Sequence, residues 1–173
     1  MKSGRFATGV AAAALLAACQ SMSPGPRATA SLEPTRGSSV RGTATFVQVG
    51  DKVRLTASVS GLKPNGEFGF HIHEAGDCSS GDGMSAKGHF NPLGKPHGMQ
   101  GSMERHAGDM PSLKSDAAGN ASMDVELDIV TVADGPTSVV GRGLIVHAQP
   151  DDFKTQPTGN AGARSACAVI QRG

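Results

Sequence analysis

VRGTATFVQV-GD-KVRLTASVS, residues 40 to 60, sets apolar and polar side chains in alternation on either side of a Gly50-Asp51 pair. In its second half Val53, Leu55, Ala57 and Val59 fall on one face of an extended chain and Arg54, Thr56 and Ser58 on the other, the period of a half-buried strand. Gly50-Asp51 supplies a tight turn between two such strands, here 40–49 and 52–60. Similar alternation, bounded by Gly, Asn or Pro, predicts further strands over 67–73, 121–129, 142–148 and 165–171, with a turn at Gly119-Asn120. The chain has no Trp or Tyr and six Phe, against 24 Gly and 10 Pro, which favours short strands and turns over packed helices. The fold class that follows is all-β, a sandwich or barrel.

At 173 residues the length fits one domain with an N-terminal extension. Lys2 and Arg5 form a basic start, and Phe6 to Ala18 form an Ala-rich apolar run too short to span a bilayer, as in a secretory signal over residues 1–18. Leu16-Ala17-Ala18-Cys19 resembles the lipobox of bacterial lipoproteins, in which the cysteine is lipidated and becomes the first mature residue; plain secretion with loss of Cys19 is the alternative. Gln20, in place of Asp, resembles lipoproteins that move on to the outer membrane. The expected location is the cell envelope, with the domain lipid-anchored at Cys19 to the outer membrane on its periplasmic side. Residues 19–38, rich in Ser, Pro, Gly, Ala and Thr, read as a flexible tether, and the domain is expected over 39–173. The net charge is +1, or −1 without Lys2 and Arg5, and gives no support for nucleic-acid binding.

Cys78 and Cys167 are the remaining cysteines, an even pair that in an exported protein favours a bridge over two free thiols. Two segments, 74–110 and 149–164, lack any sustained period. Loops of that length in a compact domain are expected to be functional.

All six histidines lie between positions 71 and 147. His71 and His73 are two apart on a predicted strand and so share a face. His147 ends another apolar strand, in which Leu144 and Val146 can face the core and Ile145 and His147 face outward. His89, from the long loop, completes four imidazoles, a set that suits Cu(II). His97, His106 and Asp109 form a second set, which a shared His89 would turn into a closed tetrahedral zinc site. Sharing requires both ring nitrogens of His89 to lose their protons, which two nearby cations make favourable. Any one of these histidines alone reads as an ordinary core or surface residue; the six together read as two adjacent metal sites.

Gly69-Phe70-His71-Ile72-His73-Glu74, Gly88-His89-Phe90-Asn91-Pro92, Arg105-His106-Ala107-Gly108-Asp109 and Gly159-Asn160-Ala161-Gly162-Ala163-Arg164-Ser165-Ala166-Cys167 together resemble the signatures of the copper/zinc superoxide dismutases, over about residues 40 to 171. The resemblance implies a flattened eight-stranded Greek-key β-barrel, an immunoglobulin-like sandwich with two long functional loops over copper and zinc. It implies copper on His71, His73, His89 and His147, zinc on His89, His97, His106 and Asp109, and a Cys78–Cys167 disulfide. Asp151 matches an aspartate that joins a copper-ligand to a zinc-ligand histidine, here His71 and His97. Arg164 matches the arginine that guides the anion to copper, and Lys154 is a candidate for long-range attraction. The implied reaction takes superoxide to oxygen and hydrogen peroxide, one copper and one zinc per subunit, with His89 carrying a proton. The loop from 148 to 163 resembles that of the bacterial exported members, and a homodimer is admitted without its surface being identified. A metal-buffering protein on the same barrel would not need Arg164 or the shared position of His89. A purely structural, anchored β-domain would not need the ligand set.

Overall fold

The computed structural model describes Met1 and residues 25–173, so the leader, the lipobox and Cys19 lie outside the described residues. Ten strands run in chain order: β1 (Arg27–Pro34), β2 (Arg41–Val49), β3 (Lys52–Ser60), β4 (Glu67–Phe68), β5 (Phe70–His73), β6 (Leu113–Lys114), β7 (Ala121–Leu127), β8 (Gly143–His147), β9 (Arg164–Val169) and β10 (Gln171–Arg172). Among the described residues, helix is limited to a single 3-10 turn, Met84–Ala86.

Seven strands form one curled antiparallel sheet in the order β5-β8-β9-β1-β2-β3-β7, with β10 added beside β1. The neighbours β1–β9, β3–β7 and β5–β8 are far apart in sequence, so the chain crosses between the two halves of the sheet as a Greek key does. A short β4–β6 pair draws the two edges together: β4 leads into β5, and β6 lies beside β7. The result is a flattened, incompletely closed barrel filled by Leu32, Phe46, Leu55, Phe70, Ile72, Leu144 and Ile170.

β2 and β3 follow the expected alternation, joined through Gly50-Asp51 with Val49 opposite Lys52. The expected strand 67–73 is interrupted at Gly69. Its N–H donates to Gln149 O at 2.8 Å and its carbonyl accepts from His147 N–H at 2.8 Å, so its backbone ties β5 to β8 and the second loop.

Two expectations are corrected. The domain does not begin at residue 39, because part of the proposed tether is β1, which pairs with β2 on one side and β9 on the other. Ala28, Ala30 and Leu32 are buried, and Thr29, Ser31 and Glu33 alternate with them. Small side chains hide a strand inside a composition that suggests a linker. The strands β5 and β8 are not half-buried, since every residue in both is buried. Ile145 does point away from the main core, but it packs with Ala86 and Cys167 beneath a loop.

Candidate metal centre

β5 is a sheet edge, and backbone from the long loop closes it. Phe90 N–H donates to Ile72 O at 2.8 Å, Ile72 N–H to Gly108 O at 3.0 Å, Gly108 N–H to Phe90 O at 2.9 Å and Glu74 N–H to Gly88 O at 2.9 Å. The bonds to Ile72 and Glu74 satisfy groups that the strand edge leaves open, and the Gly108–Phe90 bond ties the two loop segments to each other. They also set a register, placing Asp109 opposite His71 and His89 opposite His73. Gly108 is required for this approach, because a Cβ there would lie 2.2 Å from Ile72 O. On the other side of β5, His71 pairs with Ile145 and His73 with Gly143 of β8. A register shift between Val146 and His147 re-aims His147 and sets it opposite Arg164 of β9.

Two buried sets of donors result, one of His71, His73, His89 and His147 and one of His89, His97, His106 and Asp109, each with its ligand atoms within 4.8 Å of one another. In the second set Asp109 Oδ1 lies 2.8 Å from His89 Nδ1, 2.9 Å from His97 Nδ1 and 3.3 Å from His106 Nδ1. Metal bonds of about 2.0–2.1 Å in a tetrahedron give edges of about 3.3 Å, so these separations suit zinc. The other carboxylate oxygen is already used, accepting from the N–H groups of Gly98 at 3.0 Å and His106 at 2.8 Å. In the first set His73 Nε2 and His147 Nε2 are 3.3 Å apart.

Each ring of the first set other than the shared His89 is tied at one nitrogen to a group outside the set, which leaves the other nitrogen facing its fellow ligands. His71 Nε2–H donates to Asp151 Oδ2 at 2.7 Å, His73 Nδ1–H to Lys87 O at 2.8 Å and His147 Nδ1–H to Gly162 O at 3.3 Å. His97 Nε2–H donates to Asp151 Oδ1 at 3.0 Å. Three buried nitrogens then have no hydrogen-bond partner: His71 Nδ1, His89 Nε2 and His97 Nδ1. His97 Nδ1 is 2.9 Å from Asp109 Oδ1 without the angles of a hydrogen bond, as expected of two donors aimed at a common third atom. Orphaned buried nitrogens are costly unless something binds them, so the donor sets fit metal ions.

The electrostatics agree. Burial, with neighbouring imidazoles, brings His147 down to about 3 and His89 down to about 4, the latter despite Asp109. His73 is lowered well below its ordinary value for the same reasons. These rings are neutral at physiological pH, with lone pairs available. Asp109 and Asp151 are held well below the usual carboxylate range, since their hydrogen bonds from imidazoles outweigh burial. Between them His97 is raised to about 9, against its burial, by the closeness of both carboxylates, Asp109 beside Nδ1 and Asp151 hydrogen-bonded to Nε2. The centre is built to take positive charge.

Comparison with known proteins agrees with this donor set. The sequence profile of copper/zinc superoxide dismutase (SODC) matches residues 40–170. Superoxide dismutase [Cu-Zn] 2 of Aquifex aeolicus (strain VF5) is 42% identical over 168 residues, covering 95% of this chain and 98% of its own. Superoxide dismutase [Cu-Zn] of Candida glabrata is 45% identical over 144 residues, 78% of this chain and 92% of its own. The chain belongs to the copper/zinc superoxide dismutase family. A crystal structure of the clock protein EA4 shares its fold with a TM-score of 0.78 at 38% identity, over 87% of this chain and 96% of that one.

As a copper/zinc superoxide dismutase the protein converts superoxide to oxygen and hydrogen peroxide, with copper and zinc as cofactors. Arg164 begins β9, and its guanidinium donates to the carbonyls of Gly83 and Lys87. The Lys87 carbonyl therefore holds Arg164 and the ring of His73 together. Lys87 has a φ of 63°, a conformation usual for glycine. Burial draws the Arg164 pKa down and Asp82 opposes it; a guanidinium stays charged. Lys154 is exposed in the second loop, with its backbone N–H on Asp152 Oδ1 at 2.9 Å.

Cys78 and Cys167 form a disulfide with a Cα–Cα distance of 5.9 Å across a sequence separation of 89. Closing a loop of that length stabilises the fold by about 4–5 kcal/mol in the chain-entropy account, and here it binds the long loop to β9. Sequence reasoning missed Gly83, Lys87 and Gly162, which act through carbonyl groups that every residue has. It also missed Gln156, whose type carries no signal of its contact with His97.

Gly159 is the one residue whose lack of a side chain the centre depends on most directly. It has a φ of 65°, and a Cβ would lie 1.8 Å from Asp151 Oδ1 and 2.6 Å from His97 Nε2. Gly159→Ala is expected to push Asp151 off His97 and lower zinc affinity by about 10- to 100-fold, the usual cost of disturbing a group that orients a ligand. Competition with a chromogenic chelator measures this, and zinc retention equal to that of the unaltered protein would contradict it.

Proposed function

We propose that His71, His73, His89 and His147 hold copper, that His89, His97, His106 and Asp109 hold zinc with His89 common to both, and that the enzyme removes superoxide in the cell envelope. The observation that carries the two-metal assignment is His89 itself. It is buried, its Nδ1 sits among the second set and its Nε2 is an orphaned atom facing the first. Both sets come from a single chain, so the reading does not rest on a second copy or on a homodimer.

When bound, copper supplies the one-electron couple that accepts an electron from one superoxide and passes it to another, while zinc, without such a couple, supplies charge and order. The protein does the rest. Arg164 presents a fixed, permanently charged donor beside His73 and His147, where an anion meets a charge-assisted hydrogen bond. Asp151 and the carbonyls of Lys87 and Gly162 hold the rings in orientation. When not held by copper, His89 Nε2 would take a proton from solvent and give it to the peroxide, whose second proton would come from water. A small anion and fast chemistry make arrival limiting, so positive potential at the mouth matters, with Lys154 a contributor at longer range.

Arg164→Ala is expected to lower kcat/KM for superoxide about tenfold or more with copper retained, since a hydrogen bond to a charged group is worth about 1.5–3 kcal/mol. Pulse radiolysis at low ionic strength, with metal analysis of the same sample, is the measurement. An unchanged rate would reduce Arg164 to a structural residue.

The envelope part of the proposal is supported by Leu16-Ala17-Ala18-Cys19, the basic start at Lys2 and Arg5 and the disulfide, which belongs to oxidising compartments. Cys19→Ser is expected to abolish lipidation and release the domain from the membrane fraction. Mass spectrometry of the unaltered protein decides: a mature form that begins after Cys19, without lipid, would contradict the anchor.

A further inference from the structure

His97 lies in a stretch, 91–104, with no strand of its own, and yet its ring must be placed as firmly as those on β5 and β8. Two groups from the second loop hold it. Asp151 accepts from the ring at Nε2, and the Gln156 side chain pairs with the main chain of the same residue. His97 N–H donates to Gln156 Oε1 at 2.8 Å, and Gln156 Nε2–H donates to His97 O at 2.9 Å. A primary amide facing a peptide in this way reproduces one rung of a β-ladder. Gln156 Nε2 also donates to Lys154 O at 3.3 Å, which orients the amide on its own loop. Nearby, Asp152 accepts from Lys154 N–H, Thr155 N–H and Thr155 Oγ1, so the turn that presents Gln156 is itself braced.

We propose that Gln156 is a positioning residue for the zinc ligand His97, fixing the backbone of that histidine so that, with Asp151 on Nε2, only Nδ1 is left to meet the metal. The inference rests on the reading of His97 as a zinc ligand. Gln156 is exposed, so its removal takes away three hydrogen bonds, two of them to His97, and little core packing. A second glutamine gives the comparison: Gln100 Nε2–H donates to Glu126 O at 2.7 Å and ties the same loop to β7 without touching His97.

The experiment compares the full-length, copper- and zinc-loaded protein with Gln156→Ala, Gln156→Glu and Gln100→Ala, following zinc release to a chelator and the visible spectrum of Co(II) placed in the zinc site. Gln156→Glu keeps the acceptor but turns a second acceptor toward His97 O. Zinc release from both Gln156 variants is expected to be about tenfold faster than from the unaltered protein, with a changed Co(II) spectrum, copper retained and Gln100→Ala close to normal. Release and spectra unchanged in the Gln156 variants would overturn the proposal. Equal acceleration in Gln100→Ala would also overturn it, since any anchor of the loop would then serve. Zinc absent from the site in the unaltered, loaded protein would instead sink the ligand reading on which it rests.

Discussion

The open edge of β5 is the constraint on which the site depends. An edge strand buried under a loop must find partners for its N–H and C=O groups, and here it finds them in the loop's own backbone at Gly88, Phe90 and Gly108. That pairing gives a segment without a strand of its own the register of a ladder. His89 and Asp109 are thereby delivered opposite His73 and His71 to within the tolerance a metal needs. The disulfide from Cys78 to Cys167 and the amide pair of Gln156 act on the same loop from either side.

The cost of the arrangement is the burial of six imidazoles and two carboxylates, Asp109 and Asp151, none with more than a few per cent of its surface exposed. Buried carboxylates are tolerated when their lone pairs are filled and a positive charge is near. Asp151 accepts from His71, His97 and the Phe153 N–H, and Asp109 accepts from two backbone N–H groups while sharing its other oxygen with three imidazoles. The balance is completed by metal. Binding therefore contributes to the stability of the loops as well as to chemistry, which links folding to metal supply.

Much of the barrel was legible because β2, β3 and β7 bury one face and solvate the other, leaving a period of two in the sequence. β1 was not, since Ala28 and Ala30 are small enough for a buried strand to look like a linker. The burial of both faces of β5 and β8 was not legible either, because what covers the outer face is a loop distant in sequence. The two donor sets were legible from histidine spacing, and the structure brings all seven side chains together. Lys87, Gly162 and Gln156 were not, since backbone carbonyls have no residue signature and a loop glutamine is ordinarily solvated. Lys87 also occupies a backbone conformation that favours glycine, which a lysine in a loop does not signal.

His89 is proposed to join two metals through its two ring nitrogens, and the pairing of the two sites turns on that residue. Electron paramagnetic resonance of Cu(II) with Co(II) placed in the zinc site tests it most directly, since an imidazolate between the ions couples their spins. The copper signal is expected to be suppressed in the doubly loaded protein and restored in His89→Ala. A full, uncoupled copper signal in the doubly loaded, unaltered protein would contradict it.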